Sequence, residues 1–245
     1  MKRKAATTDP ASRRSTRLSD QVAAQLQSLI TSGGIRPGEK LPSERELCEL
    51  LGVSRTVVRE AVRALAIKGL VEVRPGGGAV ARSPDSSLVA ELMTLMLRAG
   101  EGAVAFEHVH EVRRLLEVEI AGLAAERRDA GDLTRLEERL CEMAEHAGEP
   151  LRWAAADVAF HAALAEATHN PLYPVLLGSI ADLLMEVRLT GARLPETPEL
   201  AYRHHRAIAE RVGAADRAGA RAAMQAHLRE SEATFQKARF QKIPK

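Results

Sequence analysis

Four residues of two chemical types, spread over three alanine-rich segments, carry the strongest chemical signal in this chain of 245 residues. In "PLRWAAADVAFHAALAEATH" the apolar positions Ala154, Val158, Leu164 and Ala165 recur at helical spacing, and Asp157 and His161 fall inside that stripe. The two lie four apart, so on a helix they project from one face toward one centre. "PELAYRHHRAIAERVGA" aligns His205 with Ala201, Ile208 and Val212, and "DRAGARAAMQAHLRESEATF" aligns His227 with Ala220, Ala223 and Met224. A buried carboxylate with no partner is costly, so something must satisfy these groups. One Asp and three His meeting from three helices would make a nitrogen and oxygen site for a divalent cation, with the ion as partner to each. Taken singly, each reads as well as a hydrogen-bonded core residue or a surface residue. His205 is preferred to its neighbour His204 because its stripe is the more apolar. His108, His110, His146 and His169 read as surface or helix-end residues with no assigned role.

The elements that must position these groups are helices. Aromatic residues make up only 3% of the chain while Ala, Leu, Arg and Glu abound, and from Leu88 onward every segment has helical periodicity. About six segments are expected there. They are divided at Gly100 and Gly102, at Asp129 to Gly131, at Gly148 to Pro150, at "HNP" (169–171), at "TGARLPETP" (190–198) and at Gly213. An apolar content of 45% with 28% charged residues describes an ordinary globular protein. No run of 18 apolar residues occurs, which excludes a membrane-spanning helix, and the basic start "MKRKAATTDPASRRSTR" lacks the apolar core of a secretory signal. Cys48 and Cys141, without a CxxC pattern, suit a reducing compartment, so a cytoplasmic location is expected.

The net charge of +2 conceals a division. Residues 1–82 hold 15 Lys and Arg against 8 Asp and Glu, whereas the remainder holds 20 against 25. A basic front and an acidic rear suit a nucleic-acid-binding module joined to a domain with another task. Residues 1–17 read as a disordered basic arm. Residues 18–33 form a helix on Val22, Leu26 and Ile30, stopped by Gly33 and Gly34. Pro37 and Gly38 mark a turn, Ser43 and Glu46 make a capping box, and Gly52 ends a short second helix. A third helix opens at Ser54, with Val58, Ala61, Val62 and Leu65 inward and Arg55, Thr56, Arg59 and Arg63 outward. "LVEVRPGGGAVAR" then reads as a β-hairpin wing. The whole is a winged helix-turn-helix over residues 18–82, with a linker at 83–87 and an all-helical domain at 88–245. The first turns of the third helix would enter the major groove, where Arg can bond guanine through two hydrogen bonds. Arg45, in the preceding helix, could hold a phosphate or reach a base.

"GIRPGEKLPSERELCELLGVSRTVVREAVRALAIKGLVEVRPGGG" resembles the winged helix of GntR-family transcription regulators. The resemblance gives DNA-contacting roles to Arg45, Ser54, Arg55, Thr56, Arg59 and Gly76. One departure is Val80, where many relatives carry an aromatic residue. "DVAFHAALAEATHNPLY", "HHRAI" and "MQAHL" resemble the all-helical FCD ligand-binding domain of the FadR subfamily, many members of which hold a divalent metal on an Asp and three His. The matching residues are Asp157, His161, His205 and His227, and zinc is the expected ion, with nickel or manganese as alternatives. "EVRRLLEVEIAGLAAER" is similar to the first long helix of that domain, whose R-x3-E pattern, Arg113 and Glu117 here, can turn its Arg to the effector or form an ordinary i,i+4 surface ion pair, and Asn170 matches a further effector-binding position that a helix-terminating turn explains as well. The resemblance implies a homodimeric regulator or repressor that binds a palindromic double-stranded operator and answers to a small carboxylic acid. The fold class expected is mainly α, with an antiparallel helical bundle following the winged helix. Two other readings stand beside it: a metal-dependent hydrolase or lyase fused to a DNA-binding module, and a metal-free sensor of acyl ligands.

Overall fold

A computed structural model describes residues 10–74, 78–82, 87–99, 106–192 and 194–240. The chain divides into two compact units, residues 1–85 and 86–245. Residues 1–9 of the expected arm, residues 83–86 of the expected linker, and Gly76 lie outside the described residues.

The first unit begins with α1 (Pro10–Thr31), which starts eight residues before the expected Leu18. Residues 10–17, read as part of the arm, are therefore helical. Proline is tolerated in a first turn because its missing N–H would have had no partner there. Helix α2 (Glu44–Leu51) is fixed at both ends by local chemistry. Ser43 Oγ accepts from the Glu46 N–H at 3.3 Å while Glu46 Oε2 accepts from the Ser43 N–H at 2.8 Å, and Gly52 closes the helix in the left-handed region at φ 64°. Helix α3 (Arg55–Ile67) is capped by Ser54, whose hydroxyl accepts from the Val57 N–H. Val58, Ala61 and Leu65 are fully covered, Val57 joins them, and Val62 is half-buried. They pack on Val22, Leu26 and Ile30 of α1 and on Leu47 of α2. Strands β1 (Val71–Arg74) and β2 (Gly78–Ala81) pair antiparallel with Val71 opposite Ala81 and Arg74 opposite Gly78. The segment after Gly38 also lies along β2, with Leu41 N–H bonded to Ala79 O at 2.8 Å. The wing is thus tied to the stretch that precedes α2.

The second unit is all helical among its described residues. It comprises α4 (Ser87–Ala99), α5 (Phe106–Arg127), α6 (Ala130–Glu145), α7 (Pro150–Glu166), α8 (Leu172–Gly178), α9 (Ala181–Gly191), α10 (Thr197–Gly213) and α11 (Arg217–Phe240). Helix α5 lies against α7, α10 and α11, and α7 also packs on α6 and α9. Phe160, Leu164, Leu136, Leu140, Ile208 and Met224 anchor the common core. One break was not expected: the run 172–189 is two helices, because Ser179 turns its hydroxyl onto Leu176 O at 2.7 Å just after Gly178.

His110 corrects an expectation of surface exposure. It is 1% exposed, with Nε2 bonded to Leu228 O of α11 at 2.8 Å and 3.8 Å from a Glu232 carboxylate oxygen. Burial, with Arg113 adding repulsion, outweighs these acceptors and pushes its pKa down from 6.5 to about 4. The folded ring is therefore neutral where the unfolded chain would take up a proton, and the stabilisation is present above pH 6.5 and lost as pH falls toward 4. The urea midpoint of the helical unit should accordingly be lower at pH 5.5 than at pH 7.5, with a smaller difference in His110→Gln. Equal midpoints in the wild-type chain would contradict this.

Candidate functional site

Helix α7 brings two polar groups into the core of the second unit. Trp153, Ala154, Ala156, Phe160, Ala163, Leu164 and Ala165 are all buried on it, so the helix is covered nearly all round, and Asp157 and His161 are 1% and 2% exposed. Helix α10 adds His205, fully covered, and α11 adds His227, 3% exposed. One nitrogen from each of the three imidazoles lies within 4.8 Å of the others. The ring centroids of His205 and His227 are 4.5 Å apart, and those of His161 and His205 5.0 Å. Asp157 Oδ1 is 3.5 Å from His205 Nε2, and Oδ2 is 3.9 Å from His161 Nε2. The structure thus places the four residues singled out by spacing around one point. His204 is half-buried and lies on the wall of an adjoining pocket instead.

The hydrogen bonds fix which ring nitrogens carry protons. His205 Nδ1 is 2.6 Å from Ala201 O, which only accepts, so Nδ1 is the donor. Burial first, against the attraction of Asp157, pushes the His205 pKa down to about 3, so the ring is neutral and its Nε2 bears a lone pair. His161 Nδ1 is 2.5 Å from Glu117 Oε2. Burial tends to raise the Glu117 pKa, but Arg113 and His161 overcome it and hold the carboxyl well below its usual range, so it also only accepts. His161 Nε2 faces Arg188 Nη2 at 3.2 Å, and a guanidinium only donates, so this nitrogen too is a lone pair. The two Nε2 atoms of His161 and His205 are nevertheless 3.1 Å apart. His227 Nε2 is buried without a hydrogen-bond partner among the described residues, and burial first, with the Arg188 and Arg113 guanidiniums adding repulsion, holds its pKa well below 6.5. The Nε2 atoms of His161 and His205, the unpartnered Nε2 of His227 and the Asp157 carboxylate therefore gather in one buried place. Such a donor set fits a divalent cation bound by nitrogen and oxygen.

Two arginines enter the same region. Arg113, fully buried on α5, bonds Glu117 Oε1 through Nε at 2.5 Å and reaches Ser231 Oγ through Nη1 at 3.5 Å. It does not line the pocket and stands instead behind the site, holding Glu117 beside His161, with its Nη2 left without a hydrogen-bond partner among the described residues. The guanidinium that does line the pocket is that of Arg188 on α9, which sequence reasoning missed. Its Nε donates to Asp157 Oδ2, its Nη2 to His161 and its Nη1 to Ser231 Oγ at 3.3 Å. Burial works to raise the Asp157 pKa, and the charge and hydrogen bond of Arg188 override it, keeping the carboxylate ionised. Arg188 shares a face with the buried Leu184 one turn earlier, the same pattern of a polar group in an apolar stripe that marked the histidines. Trp153, Leu200 and Phe235 give the pocket an apolar wall beside His204, Ser231 and Thr234.

The structure does not bring Asn170 to this site. Its Oδ1 accepts from the Leu172 N–H at 3.1 Å and closes the turn between α7 and α8. His169, at φ 52°, reaches from that turn to Asp132 Oδ2 at 2.9 Å. Asp132 is already the reciprocal partner of Asp129 in the cap of α6, so this cluster is accounted for as a splice between helix ends.

In the first unit Arg55, Thr56 and Arg59 are exposed on the outer face of α3, and Ser54 is exposed at its cap. Arg59 Nε is 3.3 Å from Glu44 Oε1 of α2, and Arg45 Nε is 4.0 Å from Glu49 Oε1. These exposed pairs are weak and can be exchanged for phosphate or base contacts.

Comparison with known proteins places both units. Residues 18–80 match the profile of the bacterial regulatory proteins of the gntR family, and residues 108–230 match the FCD domain. The chain is 35% identical to the HTH-type transcriptional regulator LutR of Bacillus subtilis (strain 168), with 82% of this chain and 93% of the relative covered. It is 32% identical to the HTH-type transcriptional repressor NanR of Cronobacter sakazakii (strain ATCC BAA-894), covering 90% and 86%. Among solved structures, Streptococcus agalactiae GntR superposes with a TM-score of 0.69 at 30% identity, covering 86% of this chain and 98% of that one. Relatives that are transcriptional regulators set aside the hydrolase or lyase reading. The chain belongs to the GntR family of bacterial transcriptional regulators, with a winged helix-turn-helix joined to an FCD effector-binding domain.

Proposed function

We propose that this regulator binds a palindromic operator as a homodimer in the cytoplasm and that its affinity for DNA is set by a small carboxylic acid bound at a metal centre in the FCD domain. The observation that carries the second half is the approach of the His161 and His205 Nε2 atoms to 3.1 Å of each other, with the Asp157 carboxylate 3.5 Å from His205 Nε2. A divalent cation, zinc first and nickel or manganese as alternatives, would be held by Asp157, His161, His205 and His227 and would supply a positive centre for the carboxylate. Glu117 and Ala201 O keep two of the imidazoles in the ligating tautomer. Arg188, Ser231 and His204 line the route by which the acid arrives, and Trp153 and Phe235 cover its apolar part.

On the DNA side Arg55, Thr56 and Arg59 read base edges from the first turns of α3, while Arg45, Ser54 and Gly76 fix the backbone. Ser54 already uses its hydroxyl to cap α3, so its part in DNA contact falls to its own N–H at the helix end. Ligating groups on α7, α10 and α11 lie on three helices, so an occupant that draws on all three favours one arrangement of the bundle. In a two-fold dimer that choice sets the distance between the two winged helices, and half-sites must match it. Regulation then requires only that the acid bind the DNA-competent and the incompetent arrangements with different affinity.

Replacing Arg55 and Arg59 together by Ala should weaken operator binding by about two orders of magnitude or more, at ~1 to 3 kcal/mol per lost base contact. Fluorescence anisotropy at fixed salt reads this, and unchanged affinity in a folded double variant would refute the reading-helix assignment. Replacing His205 and His227 by Ala should abolish metal retention after dialysis, measured by elemental analysis, and remove the response to carboxylic acids. Stoichiometric metal in that variant would show the ligand set to be wrong.

A further inference from the structure

Resting on the metal-centre reading, a second property follows from the charges buried around it. Four ionised side chains, each no more than 5% exposed, share this interior: Arg113 and Arg188 against Glu117 and Asp157. They balance without any further ion. A divalent cation placed among neutral imidazoles would leave two positive charges in excess in a region where uncompensated charge is expensive. Arg113 keeps one donor, Nη2, without a hydrogen-bond partner among the described residues, but it is fully enclosed and does not line the pocket, so it is not placed to follow an anion there. Arg188 can relieve the excess, because it alone of the four is a cation on the pocket wall and already holds Ser231 there through Nη1.

The donors of Arg188 also fall on the atoms a cation would need. Its Nε is bonded to Asp157 Oδ2 and its Nη2 lies 3.2 Å from His161 Nε2. The guanidinium thus supplies two acceptors of the candidate centre with their positive partner. We propose that Arg188 is the built-in counter-ion of the site, competing with the divalent cation for Asp157 and His161 and, when displaced, turning to the pocket to receive the carboxylate of the effector. Metal and acid are then coupled through one side chain: the cation frees the guanidinium, and an anion on the guanidinium cancels part of the excess charge. By linkage each tightens the binding of the other. Trp153 stands on the same pocket wall. It is also the single tryptophan of the chain, which makes its fluorescence a reporter of this pocket.

The test is the zinc affinity of the metal-stripped full-length protein, measured by competition with a chromophoric chelator for the wild type, Arg188→Gln and Arg188→Lys. Removing a charge-assisted competitor should tighten zinc binding about tenfold in Arg188→Gln. Arg188→Lys, which keeps the charge but loses the planar fork, should fall between the two. Acetate, used as the carboxylate probe, should alter Trp153 fluorescence in the zinc-loaded wild type and not in zinc-loaded Arg188→Gln. Zinc affinity in the variants equal to or weaker than wild type, or an undiminished acetate response in Arg188→Gln, would overturn the proposal while leaving the metal centre standing. If Arg188→Gln does not fold without metal, Arg188→Lys decides by the same criterion. Absence of zinc binding in all three proteins would overturn both the metal centre and this role for Arg188.

Discussion

Hydrogen-bond acceptors do not face one another in a dry interior unless something positive lies between or beside them. The second unit of this protein is organised around that constraint. Asp157, His161, His205 and His227 are delivered by three helices whose remaining inward positions are mostly aliphatic or aromatic, with Phe160 packed edge-on against His205 at 4.6 Å. Alanine at Ala154, Ala163, Ala165 and Ala220 lets these helices approach closely enough for short polar side chains to meet. Around them a second layer removes the freedom of the rings: Glu117 holds His161, the Ala201 carbonyl holds His205, and Arg113 holds Glu117. The proposed sensing role and the role of Arg188 are both consequences of where those protons are.

The winged helix works by a different economy. Its short helices are set by local chemistry at their ends, with Ser43 and Glu46 closing the start of α2, Gly52 its end, and Ser54 the start of α3. The inward residues of α3 spend the helix's apolar face on α1, which leaves Arg55, Thr56 and Arg59 outside on the face that would meet DNA. Helix position alone therefore presents the basic groups, with no need for a specific contact to hold them.

The difference in mechanism explains what was readable in advance. Caps, turns and breakers act over three or four residues, so the order of helices and the wing could be read from neighbours in the chain. The four metal-ligand candidates were readable because each is a polar exception in an apolar stripe. The stripe rule failed where a helix has no single apolar face. Helix α5 buries Val118, Ile120, Ala121, Ala124 and Ala125 together with Arg113 and Glu117, so its charged pair resembled an ordinary surface pair. His110 was misjudged on the same helix for the same reason. Arg188 obeyed the rule, but a long arginine can be held outward by its flexible stem, and nothing near it in sequence indicates that Asp157 waits across the bundle. Asn170 stands in a motif whose job here is closing a turn.

The protonation pattern of the histidine rings tests this account most directly. Nitrogen-15 NMR of ring-labelled, metal-free protein at neutral pH should place the proton of His161 and of His205 on Nδ1, leaving both Nε2 atoms bare, and zinc should then shift the Nε2 resonances. A proton on Nε2 of either ring in the metal-free protein, or Nε2 resonances indifferent to zinc, would mean that the acceptors do not converge as described and that no cation is required between them.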